Sequence, residues 1–540
     1  MFDFIVRNGL LVDGSGNPAY RADVGVRDDI IVAIGDLSSA EAKDSYDAEG
    51  KYVIPGLIDP HLHEEWVCMV DGTYGFLLKE GVTTVVNGNC GHSIVPGPLE
   101  NILQYYYGNG LMSGPQVEKY LKTFPRWDDF AGYAEAVASR GSNVNFATLL
   151  GHGTLRWSVM NGAHQRKPSP YEALAIEKHI RHNMDQGAFG ISFGLDYVPS
   201  RYADLDELCD TINIINEYDG VSACHLRHYI GIYESTEEYL EAGRRTGAKI
   251  QISHLASTEP EAFDLVKKAI EEEGVRARID TIPDSLGHCT SKPRLLQFVM
   301  ALSDELFAQG IEGVKRALKD PAGREVIKQD AYIFAGDKSS KYIINSGDPH
   351  LENRSVADIA AERRQDPDET MLDLLADDVP YTFWMNAPAA NTPSKFVDHV
   401  DTIVNNPYVS VGSDEIMGDV EDPFDWYELR RRGSFPIFTQ RYLAKGVPYE
   451  EIVRRNTSMV AEHFGIHRRG RIAQSYFADL AVIDLENYSY PEVDQNHYKN
   501  PLLEASGCDL VLVNGEVSLR DGQVDRTFAG RVLKKNNPAI

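Results

Sequence analysis

The segment KYVIPGLIDPHLHEE, which spans Lys51–Glu65, decides the fold. It begins as an apolar, β-forming run and ends in two histidines separated by one residue, His61 and His63. A strand that is apolar along its length and polar only at its end is typical of a parallel sheet covered on both faces. Because alternate side chains of a strand face the same side, both imidazoles are predicted to point in one direction.

Seven further runs predict strands of the same kind, with helical patterns between several of them. The eight candidate strands are Gly56–His63, Thr83–Cys90, Asn145–Gly151, Ala188–Leu195, Gly220–Leu226, Lys249–Leu255, Val275–Thr281 and Val409–Asp414. Two of the helical patterns, residues 171–187 and 261–274, end in glycine, as helices commonly do. Eight β/α units predict the α/β class and a (β/α)8 TIM-type barrel.

The two ends of the chain carry short β runs joined by turns instead. Asn8-Gly9 and Asp28-Asp29 each lie between two apolar runs and predict hairpins. Similar β runs return near the C-terminus, so both termini are expected to build one small β-sandwich-like domain. The predicted domains are 1–56 plus 470–540 for this β domain and 57–469 for the barrel.

A long insertion is predicted between strands seven and eight. Roughly 130 residues separate these two strands, far more than a normal connection between barrel elements. We expect an insertion with its own helices at about 286–385.

Composition excludes several classes of partner. The formal net charge of −28 disfavours nucleic acid and anionic membranes, which both attract basic surfaces. No stretch approaches the roughly 18 apolar residues of a membrane span, and no secretory signal pattern opens the sequence. Six cysteines without a CxxC pair do not suggest a disulfide framework. These features predict a cytoplasmic protein, and a homo-oligomer is compatible with them.

Metal-ligating residue types recur at the C-terminal ends of the candidate strands, where the functional residues of such barrels lie. The six are His61, His63, Cys90, His225, His254 and Asp414. Taken singly, Cys90 is compatible with a small buried hydrophobe and Asp414 with a helix cap. Their concurrence on five strand ends favours a zinc site, because imidazole, thiolate and carboxylate are zinc ligands and zinc activates water for hydrolysis.

Motifs along the chain resemble the N-acyl-D-amino-acid deacylase, or D-aminoacylase, branch of the amidohydrolase superfamily. In order they are PGLIDPHLH, TTVVNGNCGHS, GHGTLR, GAFGISFGLDYVPSRYA, HLRH, QISHL, GSDE, NTS, ADLAVIDL and a terminal VNG. The match runs from about Val53 to Asp484, and NGNCG is fairly specific to this branch. Many other superfamily members bridge their metals with a carboxylated lysine on strand four, which GAFGISFGL lacks.

The resemblance implies a role for each strand-end residue. Cys90, His225 and His254 would hold the tighter zinc. The second, weaker site would be formed by His61, His63, Cys90 and Asp414. Asp414 would be the general base, and the reaction would be hydrolysis of a C–N amide bond in a small molecule. As weaker candidates for substrate binding we take His152, Arg227 and Arg430.

Three segments depart from the family pattern, and all three concern the substrate's carboxylate. Ala256 stands where the family has lysine after SHL, and Thr281–Asp284 lacks the tyrosines of a DVYPY-like segment. The arginines Arg430–Arg432 do not align cleanly with the family arginine. A buried carboxylate without a partner is costly, so the substrate is expected to differ from a simple N-acyl-D-amino acid.

Two other functions are compatible with these residues. One is hydrolysis or deamination of a cyclic amide or another non-amino-acid amide, which the superfamily also performs. The other is a catalytically inactive scaffold, whose mark would be lost ligands. All six expected ligand positions are present.

Overall fold

The computed structural model describes residues 1–109, 111–112, 114–162, 164–255, 260–282, 288–291, 306, 310–330, 338–377, 379, 382–385, 400–415, 433–491 and 503–536. The strands in these residues are β1 (Phe2–Arg7), β2 (Leu10–Leu11), β3 (Tyr20–Arg21), β4 (Asp23–Arg27), β5 (Ile30–Gly35), β6 (Ala42–Asp47), β7 (Tyr52–Pro55), β8 (Leu57–Asp59), β9 (Val82–Asn87), β10 (Asn145–Gly151), β11 (Gly190–Gly194), β12 (Val221–His225), β13 (Lys249–Ile252), β14 (Ala277–Thr281), β15 (His288–Ser291), β16 (Tyr342–Asn345), β17 (Arg354–Ser355), β18 (Thr382–Met385), β19 (Val409–Val411), β20 (Leu480–Ile483), β21 (Cys508–Val513), β22 (Glu516–Arg520) and β23 (Gln523–Val524).

The α-helices in the same residues are α1 (Val67–Val70), α2 (Gly75–Lys79), α3 (Leu99–Gly108), α4 (Gly114–Thr123), α5 (Phe130–Arg140), α6 (His152–Met160), α7 (Pro170–Gln186), α8 (Leu205–Glu217), α9 (Ile232–Thr246), α10 (Pro260–Glu271), α11 (Gly310–Leu318), α12 (Pro321–Asp330), α13 (Val356–Arg363), α14 (Pro367–Ala376), α15 (Val400–Asn405), α16 (Ser434–Ala444), α17 (Tyr449–Arg455) and α18 (Ser458–Phe464). Short 3-10 helices lie at Ser200–Tyr202, His228–Ile230 and Lys338–Ser340. None of the helices in the described ranges is long and apolar enough to cross a membrane.

Eight parallel strands form the predicted barrel, in the order β8, β9, β10, β11, β12, β13, β14, β19. All but a few of their side chains are buried, because helices cover the outer face and side chains fill the inside. The edge strands β8 and β19 meet just beyond their ends. There the Asp414 N–H donates to the His61 carbonyl at 2.8 Å, and the His63 N–H donates to the Glu415 carbonyl at 2.7 Å. We call this closing contact the seam. The TIM-type barrel is confirmed.

Strands from both termini share one seven-stranded sheet, in the order β23, β22, β21, β20, β7, β2, β3. A four-stranded sheet, β5-β4-β1-β6, packs near it through a common core. Asp28-Asp29 is the turn of a hairpin, since β4 pairs with β5. The hairpin predicted at Asn8-Gly9 is wrong: Asn8 has a left-handed φ of 60°, but β1 and β2 join different sheets. The exact domain boundaries stay a prediction.

The long insertion has a core of its own. Its described part contains the sheet β15-β18-β16-β17 and helices α11 to α14. Buried residues such as Val314, Leu372 and Phe383 form one hydrophobic cluster, which also takes in Val198 from the loop after barrel strand β11. The insertion therefore rests on the side of the barrel where the strands end.

Candidate metal centre

Six buried donor side chains converge at the mouth of the barrel, and they are the six predicted from the strand ends. In one group the ligand atoms of His61, His63, Cys90 and Asp414 all lie within 4.8 Å of one another; in a second group those of Cys90, His225 and His254 do so. Each of the six residues is at most 9% exposed.

Cys90 stands between the two groups. Its Sγ lies 3.3 Å from Nε2 of His61 and 3.4 Å from Nε2 of His254. On one side, Oδ1 of Asp414 lies 3.4 Å from Nε2 of His61. On the other, Nδ1 of His225 and Nε2 of His254 face each other at 2.8 Å. The geometry is that of two adjacent cation sites with one shared thiolate.

Five of the six donor residues lie just beyond their strands, and His225 is the last residue of β12. Cys90, His254 and Asp414 have φ values of 54°, 36° and 50°. A left-handed backbone conformation is strained for residues other than glycine, and such strain is concentrated at functional sites. The Cys90 loop also approaches β11 so closely that a Cβ on Gly194 would lie 2.0 Å from the Cys90 carbonyl oxygen. Tight turns thus orient Cys90, His254 and Asp414.

The charges of the donors are strongly coupled. Burial alone would raise the pKa of the Cys90 thiol, but the nearby imidazoles of His61, His63 and His254 outweigh it and hold this pKa well below its usual value. Burial works against protonation of His225, yet Asp196 and Cys90 raise the pKa of its imidazole to about 9. The thiolate is the form that binds metal.

Asp280, at the end of β14, orients the first histidine. Its Oδ1 lies 3.0 Å from Nδ1 of His61 and accepts the His254 backbone N–H at 2.8 Å. Its Oδ2 accepts Nε2 of Gln251 at 2.7 Å. Carboxylates in this position fix the ring orientation of metal-ligating histidines. Asp280 is not among the residues predicted from the sequence, although its place near a strand end could have indicated it.

Aromatic rings form one wall of the site, and sequence analysis missed them. The Tyr197 ring lies 4.5 Å from the ring of His225 and 4.6 Å from that of His92. Nδ1 of His92 is 2.5 Å from the Tyr105 hydroxyl. His92 follows the Cys90 loop directly and stands in the motif TTVVNGNCGHS, which could have indicated it.

The predicted substrate-binding residues are placed differently. His152 is fully buried, with Nδ1 2.9 Å from Oγ of Ser200. Arg227 donates to Glu238 at 3.1 Å and to two backbone carbonyls of the loop after β11. Arg430 lies outside the described residues, as do Ala256, Pro283, Asp284, Arg431 and Arg432. Substrate binding by His152, Arg227 and Arg430 stays a prediction.

The donor set fits a bound divalent cation. Thiolate, carboxylate and imidazole lone pairs face one another inside a buried pocket, and only shared protons or cations make such a cluster stable. A soft thiolate with imidazoles favours zinc-like ions over magnesium or calcium, which prefer oxygen ligands. The same combination of ligands, with open positions, is typical of hydrolytic metal centres.

Known proteins share this architecture. The sequence profile of the amidohydrolase family matches residues 44–267. A D-aminoacylase of Alcaligenes xylosoxydans xylosoxydans is 29% identical, over 99% of this chain and 98% of that protein.

Two solved structures superimpose over nearly the whole length. One is an N-acyl-D-glutamate deacylase from Bordetella bronchiseptica, complexed with zinc and a phosphonate mimic of the tetrahedral intermediate; it has a TM-score of 0.74 and 27% identity, with 99% of both chains covered. The other is a D-aminoacylase with a binuclear metal centre, with a TM-score of 0.74 and 26% identity over 99% of this chain and 100% of that one. The profile match, the relative and the two structures thus support a metal-dependent amidohydrolase of the D-aminoacylase branch, an enzyme acting on C–N bonds other than peptide bonds.

Proposed function

We propose that the chain is a zinc hydrolase that cleaves the amide bond of a D-aminoacyl or related small molecule. Cys90, His225 and His254 hold the tighter zinc in this proposal. His61, His63, Cys90 and Asp414 form the second, weaker site. The observation that carries the proposal is the position of the Cys90 Sγ, which lies within 3.4 Å of an imidazole nitrogen from each group.

The chain's own residues handle the proton. Zinc bound at these donors would lower the pKa of a water molecule and polarise the scissile carbonyl. Asp414 is 1% exposed, with Oδ1 3.3 Å from Nε2 of His63. A carboxylate beside a cation stays ionised, so Asp414 can accept a proton from water. It then delivers this proton to the leaving nitrogen while the C–N bond breaks. The water oxygen thus enters the carboxylate product, and the proton goes to the amine product.

Contacts with Asp280 and Cys90 fix the orientation of the His61 ring beside Asp414. Asp280 holds the His61 ring through Nδ1, which leaves Nε2 facing Cys90 and Asp414. Burial of all six donors limits access of bulk water and strengthens the electrostatic effect of each charge.

Metal analysis tests the proposal. Protein purified after growth with added zinc should contain at least one zinc per chain, with Zn–S near ~2.3 Å and Zn–N near ~2.0–2.1 Å by X-ray absorption. Cys90→Ser should lose most of the metal, because the shared thiolate is removed. The matched control, Cys209→Ser on the outer helix α8, should keep it. A wild-type chain without metal would falsify the assignment.

A further inference from the structure

Asp196 lies in the loop that follows barrel strand β11, at the mouth of the barrel. Its side chain is 17% exposed. Sequence analysis assigned it no role, and the metal centre proposed above does not include it. Its two imidazole partners come from the end of β12 and the turn after it.

A single oxygen of this carboxylate contacts two histidines. Oδ2 of Asp196 lies 3.1 Å from Nε2 of His225 and 3.0 Å from Nδ1 of His228. An ionised carboxylate only accepts hydrogen bonds, so each of these ring nitrogens must carry its hydrogen. In its neutral form the His225 ring is then the Nε2–H tautomer.

That tautomer leaves the other nitrogen of His225 available as a ligand. Nδ1 of His225 lies 2.8 Å from Nε2 of His254, on the side of the ring that faces the Cys90 group. Histidines that bind metals commonly donate their second N–H to a carboxylate, which fixes the ring and raises its basicity. Asp196 thus has the same relation to His225 as Asp280 has to His61.

We propose that Asp196 is a positioning residue: it holds the His225 ring with Nδ1 toward the tighter metal site and ties that ring to His228. The inference rests on the proposed function, since it takes His225 as a zinc ligand. His228 is 30% exposed, and its ring lies 4.7 Å from the ring of His225. Through the shared oxygen, a displacement of His228 is transmitted to a residue of the metal centre.

The same three side chains suggest a different role, which the experiment separates from this one. The ligand atoms of Asp196, His225 and His228 also lie within 4.8 Å of one another, so they could hold an outer cation of their own. Positioning is favoured because Nδ1 of His225 already faces the Cys90 group. A neutral imidazole that binds a cation through Nδ1 keeps its hydrogen on Nε2.

The test compares Asp196→Asn and Asp196→Ala with wild type and with Asp210→Asn, a control of equal charge change on an exposed position of α8. Zinc affinity is measured by competition with a chelator, and ligand geometry by the absorption spectrum of the cobalt-substituted proteins. Unfolding of the metal-free forms shows whether each variant is folded. We expect folded Asp196 variants with zinc affinity about 10–100-fold weaker and a changed cobalt spectrum, while Asp210→Asn matches wild type.

Three outcomes overturn the inference. If both Asp196 variants hold zinc as wild type does and keep its cobalt spectrum, Asp196 does not position His225. If wild type binds an extra cation that Asp196→Ala and His228→Ala both lose while the first zinc stays tight, the cluster is an outer cation site. If wild type holds no zinc, the proposed function fails together with this inference. Variants too unstable to measure are replaced by Asp196→Glu, which should recover part of the affinity only if the carboxylate acts through His225.

Discussion

At the scale of single residues, Asp414 combines three structural properties. Its backbone is left-handed, its side chain is almost fully buried, and its amide closes the seam by donating to the His61 carbonyl. The backbone therefore fixes the residue independently of its carboxylate. Removing the charge should leave the fold in place.

Asp414→Asn is expected to keep the fold and the zinc of the Cys90 group while losing most activity. An amide cannot accept the proton from water, so the rate should fall by about 10²–10⁴-fold. Steady-state kinetics on protein of measured zinc content gives the answer, with Asp210→Asn as a control. Near wild-type turnover by a fully metallated Asp414→Asn protein would remove Asp414 from its role as base.

Glu80 shows how a buried carboxyl couples stability to pH. Its two oxygens accept the backbone N–H groups of Gly433 and Phe435 at 2.6 and 3.1 Å. Burial raises the pKa of Glu80 to about 8, since it outweighs these hydrogen bonds. The folded state then keeps a proton that the unfolded state loses near pH ~4.3.

This raised pKa contributes stability that is fully present at low pH and is lost as pH rises to about 8. The loss should be at most about 1.4 kcal/mol per pH unit in this window. Glu80→Gln cannot ionise, so the difference in Tm between wild type and this variant should shift in favour of the variant from pH 5 to pH 8. Glu272→Gln, on the protein surface, is the control. Parallel pH profiles for wild type and Glu80→Gln would contradict the expectation.

At the scale of elements, the Cys90 loop and β11 are packed backbone to backbone. Gly194→Ala would place a Cβ 2.0 Å from the Cys90 carbonyl oxygen, so the loop must move. We expect a marked loss of zinc with a smaller change in Tm, because the added Cβ meets the Cys90 loop and the Tyr197 ring at the end of β11. Gly114→Ala, whose Cβ would meet its nearest neighbour at 3.7 Å, should behave as wild type. Full zinc content in Gly194→Ala would show that the close approach is not required.

The sequence predicts the barrel strands to within a few residues because their buried apolar runs are local patterns. Pairing partners are not local, and this is why the Asn8-Gly9 hairpin is wrong although a turn is present: β1 pairs with β4 and β6, whereas β2 pairs with β3 and β7. The metal-ligating residue types could be selected at strand ends. Their supporting residues could not, since Asp196 is recognisable only once the fold brings it to His225.

We expect substrate choice to depend on the loops and the insertion around the mouth. The lysine and tyrosines with which the resembling family holds a carboxylate are missing from this sequence at Ala256 and Thr281–Asp284. The enzyme should therefore turn over N-acetyl-D-amino acids poorly and prefer amides whose leaving portion is neutral, bulky or charged elsewhere. The measurement is kcat/KM for N-acetyl-D-amino acids against their carboxamide analogues. Much faster turnover of the free acids would show that a carboxylate pocket exists, for example through Arg430.

At the scale of the whole molecule, the metal centre joins parts of the chain that are far apart in sequence. The seam brings residues 61–63 against residues 414–415. Strand β7, which directly precedes the first barrel strand in the sequence, pairs with β20, which follows residue 415. Association of the sequence ends and assembly of the complete site are therefore coupled. The family profile, which matches residues 44–267, covers every proposed ligand except Asp414.

The seam also joins residues that are synthesised at different times. A growing chain has made all three residues of the tighter site once His254 is added, but Asp414 follows about 160 residues later. At the usual pace of translation this is a delay on the order of 10 s. During that interval the first strand of the barrel has no eighth strand beside it, and Asp414, the proposed general base, has not been made. The ribosome-bound chain thus contains the donors proposed for its first zinc well before it contains Asp414.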